Sequence, residues 1–137
     1  MKIGYVLAAA ALASVCAIST AQRVSAEDSI ESKMGATATR DTKTNKLTLV
    51  LKGKEAGVYV NTDYDLKCTL SVESGGTVSK TELTKADAKL EDSGKAGKAK
   101  SATFSVDASK KVTGECKMVA CTETGCSSPF KLPFASN

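Results

Sequence analysis

Tyr64-Asp65-Leu66-Lys67-Cys68-Thr69-Leu70-Ser71-Val72-Glu73, residues 64–73, is the stretch that decides the fold. Tyr64, Leu66, Cys68, Leu70 and Val72 hold every even position; Asp65, Lys67, Thr69, Ser71 and Glu73 hold every odd one. Successive side chains of an extended chain point to opposite faces, so a strict period of two predicts a strand with one buried and one solvated face. The same parity turns Cys68 inward and assigns Tyr64 to the core.

Moving toward the C-terminus, Ser74-Gly75-Gly76 ends the run and Thr77 to Leu83 alternates weakly, as an edge strand would. Thr84-Lys85-Ala86-Asp87 has the form of a helix start and predicts one helical turn over residues 86–90. Glu91 to Lys100 (EDSGKAGKAK) has no period and reads as a mobile surface loop. Ala102, Phe104 and Val106 alternate in a further strand, and residues 108–111 read as a hairpin connection. Val112, Gly114, Cys116, Met118 and Ala120 share a face of the next strand. Phe130 to Phe134 is the last strand, and Pro129 and Pro133 place it at a sheet edge or beside a bulge. Toward the N-terminus, Leu47, Leu49 and Leu51 alternate with Lys46, Thr48 and Lys52, and residues 57–61 form a short apolar piece. Glu27 to Asn45 is polar and reads as a flexible segment with an edge strand near residues 36–40. About six to eight short strands and no long helix predict an all-β antiparallel sandwich over residues 46–137.

Residues 1–26 carry a different signal. Lys2 precedes an uncharged, Ala-rich run from Ile3 to Ile18, and Val24-Ser25-Ala26 ends it with a small-residue site. This pattern is that of a secretory signal peptide cleaved after Ala26. Cys16 stands where a lipoprotein would be acylated, but Val15 is large where such sites take a small residue. Removing 26 of 137 residues leaves 111, with 17 basic and 15 acidic residues instead of 19 and 15, so a net +4 becomes +2. That charge is too small for a nucleic-acid surface. There is no His, which excludes Ser-His-Asp and Cys-His nucleophile pairs and imidazole metal sites. The expected address is secreted, in the periplasm, as a monomer that meets other exported proteins.

Cleavage also removes Cys16 and leaves four cysteines in a compartment where disulfides persist. Cys116 and Cys121 lie five residues apart along what reads as one strand. Their Cα atoms would be about 16 Å apart, and a disulfide spans at most about 7 Å. Parity then pairs Cys68 with Cys116, both inward, and leaves Cys121 with Cys126 across a tight turn. A bridge between strands of the two sheets is the immunoglobulin-like arrangement, although the packing Trp and the corner Tyr of antibody domains are missing and Gly114 stands at the latter position. Gly125 is expected to take the positive φ that closes the second loop.

Val119-Ala120-Cys121-Thr122-Glu123-Thr124-Gly125-Cys126-Ser127-Ser128-Pro129, on the last hairpin of this sandwich, resembles the cysteine-bearing end of a family domain. The family is that of the transmembrane thiol:disulfide interchange reductases, and the domain is their periplasmic N-terminal immunoglobulin-like one. The resemblance implies that Cys121 and Cys126 form a redox pair passing electrons to other periplasmic oxidoreductases, with Gly125 the loop glycine and Pro129 the proline after it. The loop is one residue shorter than the common family pattern, and the Cys68/Cys116 pair is additional.

No other motif carries chemistry. The four thiols lack a Cys-x-x-Cys knuckle for zinc. Asp63 and Asp65 lack the glycine and closing glutamate of a calcium loop. No cofactor is implied. Tyr59, Val60, Asn61 and Tyr64 are candidates for an exposed binding patch. Two functions result: a disulfide-stabilised binding or scaffold module without catalysis, with Cys68 and Cys116 structural, and as the alternative a thiol:disulfide exchange protein acting through Cys121 and Cys126.

Overall fold

A computed structural model describes residues 29–137; the expected signal peptide and Cys16 lie outside the described residues. Two antiparallel sheets enclose one core, in the immunoglobulin-like sandwich arrangement. The strands are β1 (Met34–Asp41), β2 (Lys46–Gly53), β3 (Tyr59–Asn61), β4 (Lys67–Val72), β5 (Glu82–Thr84), β6 (Lys89–Lys95), β7 (Lys98–Asp107), β8 (Val112–Met118), β9 (Ala120–Cys121) and β10 (Phe130–Ala135). The first sheet runs β1-β2-β7-β3-β9, with β6 on the other edge of β7; the second runs β10-β8-β4-β5. Ten strands exceed the expected six to eight because β1 lies before residue 46, β6 falls largely in the segment that reads as a loop, and β9 reads as the end of β8.

Alternation places the core where the sequence puts it. Leu47, Leu49 and Leu51 of β2 and Ala102, Phe104 and Val106 of β7 face Cys68 and Leu70 of β4 and Val112, Cys116 and Met118 of β8. Each fully buried Leu or Phe stabilises the fold by about 1.5–3 kcal/mol relative to an exposed one. Pro133 lies on β10, an edge strand, where a missing N–H costs no ladder bond.

Several expectations change in three dimensions. The bridge does not pin the two sheets together. Cys68 and Cys116 are bonded, as expected, but stand directly opposite each other on β4 and β8 of the same sheet, with Cα atoms 4.0 Å apart. Both strands present their even residues to the core, so parity recognised a shared face and could not tell one sheet from two. The strand of Cys116 also does not continue to Cys121. The chain leaves the second sheet at Val119, and β9 joins β3 in the first sheet, which is why Met118, Val119, Ala120 and Cys121 are buried in succession.

The aperiodic segment 91–100 is not a mobile loop. It forms most of a hairpin, β6 and β7 joined by Ala96-Gly97, with Gly97 at φ 71°. Glu91 pairs with Ser101 and Asp92 with Ala99, leaving Lys100 as an extra bulged residue. A bulge inverts parity. Ala99 therefore turns inward while Lys98 and Lys100 turn outward, whereas unbroken alternation from Phe104 would have buried both lysines.

The polar segment before Lys46 also folds. A 3-10 turn at Glu31–Lys33 leads into β1, whose eight residues pair with β2 throughout and whose Met34 is buried. The domain boundary thus moves from Lys46 back to the start of β1, and flexibility cannot describe residues 34–45. Small and β-branched residues hid the inward row of Met34, Ala36 and Ala38. The helical turn falls at Lys85–Asp87 rather than over 86–90, with a reciprocal capping box between Thr84 and Asp87. Of residues 77–83, only Glu82 and Leu83 join a strand, while Val78 makes an isolated bridge to Ala108. Tyr64 precedes β4 and is half-buried rather than core.

Candidate functional site

Cys121 and Cys126 are disulfide-bonded, Cα to Cα 4.0 Å, and close a six-residue loop at one end of the sandwich. The two sulfur-bearing residues differ. Cys121, held in β9 against Tyr59, is 1% exposed, whereas Cys126 lies on the surface. Backbone bonds set the loop's shape: the N–H of Thr122 donates to Gly125 O at 2.7 Å, and that of Ser127 to Ala120 O at 2.8 Å. Ala120 N–H in turn donates to Ser127 Oγ at 3.1 Å. Gly125 does not adopt the expected positive φ, and a Cβ there would meet nothing within 4 Å.

Three strands brace the loop. Tyr59 OH donates to Glu123 Oε1 at 2.8 Å, and the Lys95 ammonium pairs with Glu123 Oε2 and lies 5.7 Å from the Tyr59 ring centroid. Lys98 Nζ donates to Thr122 O at 2.9 Å, and Asn61 Nδ2 lies 4.0 Å from Cys126 Sγ. Two of the four residues proposed as a binding patch, Tyr59 and Asn61, reach the loop. Val60 does not, because it points into the core, and Tyr64 is tied to the Asn61 turn by its N–H, 3.3 Å from Asn61 Oδ1. Lys95, Lys98 and Glu123 were missed, since their meeting depends on the β6–β7 hairpin; Ala96-Gly97 between lysines was the one available signal.

Electrostatics follow the contacts. The hydrogen bonds from Lys95 and then Tyr59 hold the Glu123 carboxyl below the usual range. Bonding to Glu123 raises both Tyr59 and Lys95. Glu123, with a depressed folded pKa, contributes stability that is present above its unfolded value of about 4.3 and is lost as pH falls through the lower folded value. Lys95, raised, contributes stability up to its unfolded value of about 10.4, lost as pH rises through the folded one. The cluster is therefore expected intact at neutral pH and open in acid below the usual carboxylate range. NMR titration of the Tyr59 ring and Glu123 carboxyl checks this; a Tyr59 ring insensitive to Glu123 protonation, or unchanged in Glu123→Gln, contradicts the pairing.

Beside the loop, an open groove of about 450 Å³ is lined by Lys52, Lys54, Glu55, Val58, Tyr59 and Lys100, among others. Among the described residues, no three His, Cys, Asp or Glu side chains come together as a metal site, and no helix is long and apolar enough to cross a membrane. No protein-family model matches the chain, and no curated protein matches it.

Proposed function

We propose that the protein is a secreted or periplasmic, disulfide-stabilised immunoglobulin-like module that binds another exported protein and catalyses nothing itself. The observation that carries this reading is the braced loop end. Thr122 to Cys126 is fastened to β3 by Tyr59 and to the β6–β7 hairpin by Lys95 and Lys98, so the loop is held by the scaffold, as in sandwich domains that bind through end loops. Its expected partner is a protein, because the adjoining groove is open to solvent rather than an enclosed cavity. Export is supported by the two bridges, which persist in oxidising compartments.

The asymmetry of the second bridge favours the alternative reading, thiol:disulfide exchange. A partner thiolate would attack exposed Cys126 Sγ, forming a mixed disulfide and expelling Cys121 as thiolate. The partner's second thiolate would then attack its own sulfur in that mixed disulfide and release Cys126. The partner leaves oxidised by two electrons, and Cys121 and Cys126 remain reduced. Asn61 Nδ2 is placed to donate to charge developing on Cys126 Sγ.

One measurement separates the two readings. A Cys121/Cys126 reduction potential below about −300 mV is expected for a binding module whose bridge is a staple, while a value near roughly −200 mV overturns that reading in favour of exchange. Partner trapping gives the complementary result. A photo-crosslinker at exposed Thr124 should capture the same partner in wild type and in Cys126→Ser, whereas exchange requires a mixed disulfide that Cys126→Ser loses.

A further inference from the structure

β7 changes partners along one edge. β2 accompanies it from Asp107 to Ser101 and β3 takes over at Ala99, so Lys100 stands where neither strand pairs. Residues 54–58 cross that gap, and the groove of about 450 Å³ beside the cysteine loop is the space they leave. The return of the chain is tight: a Cβ on Gly53 would stand 2.7 Å from Val58 Cβ and 2.7 Å from Val58 O. Glycine at 53 therefore lets this connection fold onto itself and set Val58 and Tyr59 in the groove lining.

Charge around the groove is unbalanced. Lys52, Lys54 and Lys100 line it and are exposed, and among the described residues none of the three ammonium groups makes an ion pair or hydrogen bond. The one carboxylate in the lining, Glu55, is already paired with Lys33 at 3.1 Å. By contrast, Lys46, Lys67 and Lys131 each meet a carboxylate on the neighbouring strand, Asp107, Glu82 and Glu115. Lys52 has Gly35 and Ser101 beside it on the two adjacent strands, neither of them charged, and the stem of Lys54 lies along Gly35. Three cations without a counter-charge thus share a groove whose lining is mainly apolar.

We propose that this groove receives an acidic segment of the partner protein, with an apolar side chain against Val58 and Tyr59 and carboxylates among Lys52, Lys54 and Lys100. The inference rests on the reading of the neighbouring loop end as a protein-binding site and supplies the partner's chemistry. Tyr59 joins the two surfaces, since it lines the groove while its hydroxyl holds Glu123. Complementary charge gives such a contact its register and selects against basic partners. An extended acidic chain fits a cleft, whereas an anionic bilayer needs a basic surface that can lie against it. The chain's own Glu27 and Asp28 carry the same chemistry and are the rival occupant.

The probe is the peptide acetyl-Glu-Glu-Leu-Glu-Glu-amide, added at low salt to isotope-labelled protein expressed with its own N-terminal segment. Amide NMR shifts should localise to Lys52, Val58, Tyr59 and Lys100. Lys52→Glu with Lys100→Glu should weaken binding at least about tenfold, and so should replacing every Glu of the peptide by Gln. Lys110→Glu with Lys111→Glu, beyond the far end of β7, carries the same net charge and should change binding by less than about twofold. Circular dichroism confirms that each variant is folded. Shifts spread over lysines on every face, equal weakening by the two double variants, or a Gln peptide bound as well as the Glu one overturns the proposal. So does binding of phosphatidylglycerol vesicles through the same lysines with none of the peptide, or peptide binding that appears only after Glu27→Gln with Asp28→Gln, which makes the chain's own segment the occupant. The Thr124 crosslinker separates this inference from the reading beneath it. A partner captured equally by wild type and by Lys52→Glu with Lys100→Glu overturns the groove assignment and leaves the binding module standing. Groove binding of the peptide with no capture at Thr124 removes the loop-end reading and upholds the groove.

Discussion

Replacing Cys68 and Cys116 together by alanine is expected to lower the unfolding free energy by about 4 kcal/mol or more. The bridge closes a sequence separation of 48, for which the chain-entropy relation alone gives about that value. Both residues are 0% exposed, so truncating their side chains also leaves space in the core. Marginal stability makes this large: domains of this kind have about 5–15 kcal/mol in all. Urea unfolding should show the lower midpoint, and the melting temperature should fall by roughly 15–30 °C. The matching double replacement of Cys121 and Cys126, a separation of five, should cost only about 2 kcal/mol. A Cys68/Cys116 loss no larger than the Cys121/Cys126 loss would contradict this assignment of the main staple.

Gly114→Ala is the second large effect. Gly114 lies in β8 between Leu70 of β4 and Phe134 of β10. A Cβ there would stand 2.1 Å from Thr69 O and 2.7 Å from Phe134 Cζ. One obstacle is backbone of a paired central strand and the other a buried ring, and neither can withdraw without parting the sheet. The expected cost is about 3 kcal/mol, the upper range for overpacking. The glycine lets the Phe134 ring cover the strand, and that packing, not a positive φ, is the need it meets. Gly125→Ala serves as control: nothing lies within 4 Å of its Cβ, so its stability should change by less than about 0.5 kcal/mol. Similar denaturation midpoints for Gly114→Ala and wild type would reject the steric account.

How much was legible depends on how far apart the deciding residues lie in the chain. The Tyr64–Glu73 alternation placed Cys68, Leu70 and Val72 correctly, although Tyr64 itself falls before the strand. The Leu47, Leu49 and Leu51 row was also legible, because parity along one strand is a local property; the two cysteine pairings came out as expected although the reach argument took Cys116 and Cys121 to share one strand, which the structure breaks at Val119. The hairpin over residues 89–107 was not. Its bulge at Lys100 cancels the period that would have announced it, and its Glu91–Ser101 pairing exists only once two distant strands align. For the same reason Tyr59 could be named as a candidate, but not its meeting with Glu123 and Lys95.

Period two in the sequence determined that the chain is an antiparallel sandwich, which residues face its core, and that Cys68 joins Cys116. All three follow from where a side chain points relative to its neighbours along one strand. Tertiary structure alone decided that this bridge lies within one sheet, that the chain changes sheets at Val119, and that Cys121 is covered while Cys126 is open. Those outcomes depend on which strands become neighbours, and pairing between distant segments leaves no period in either one.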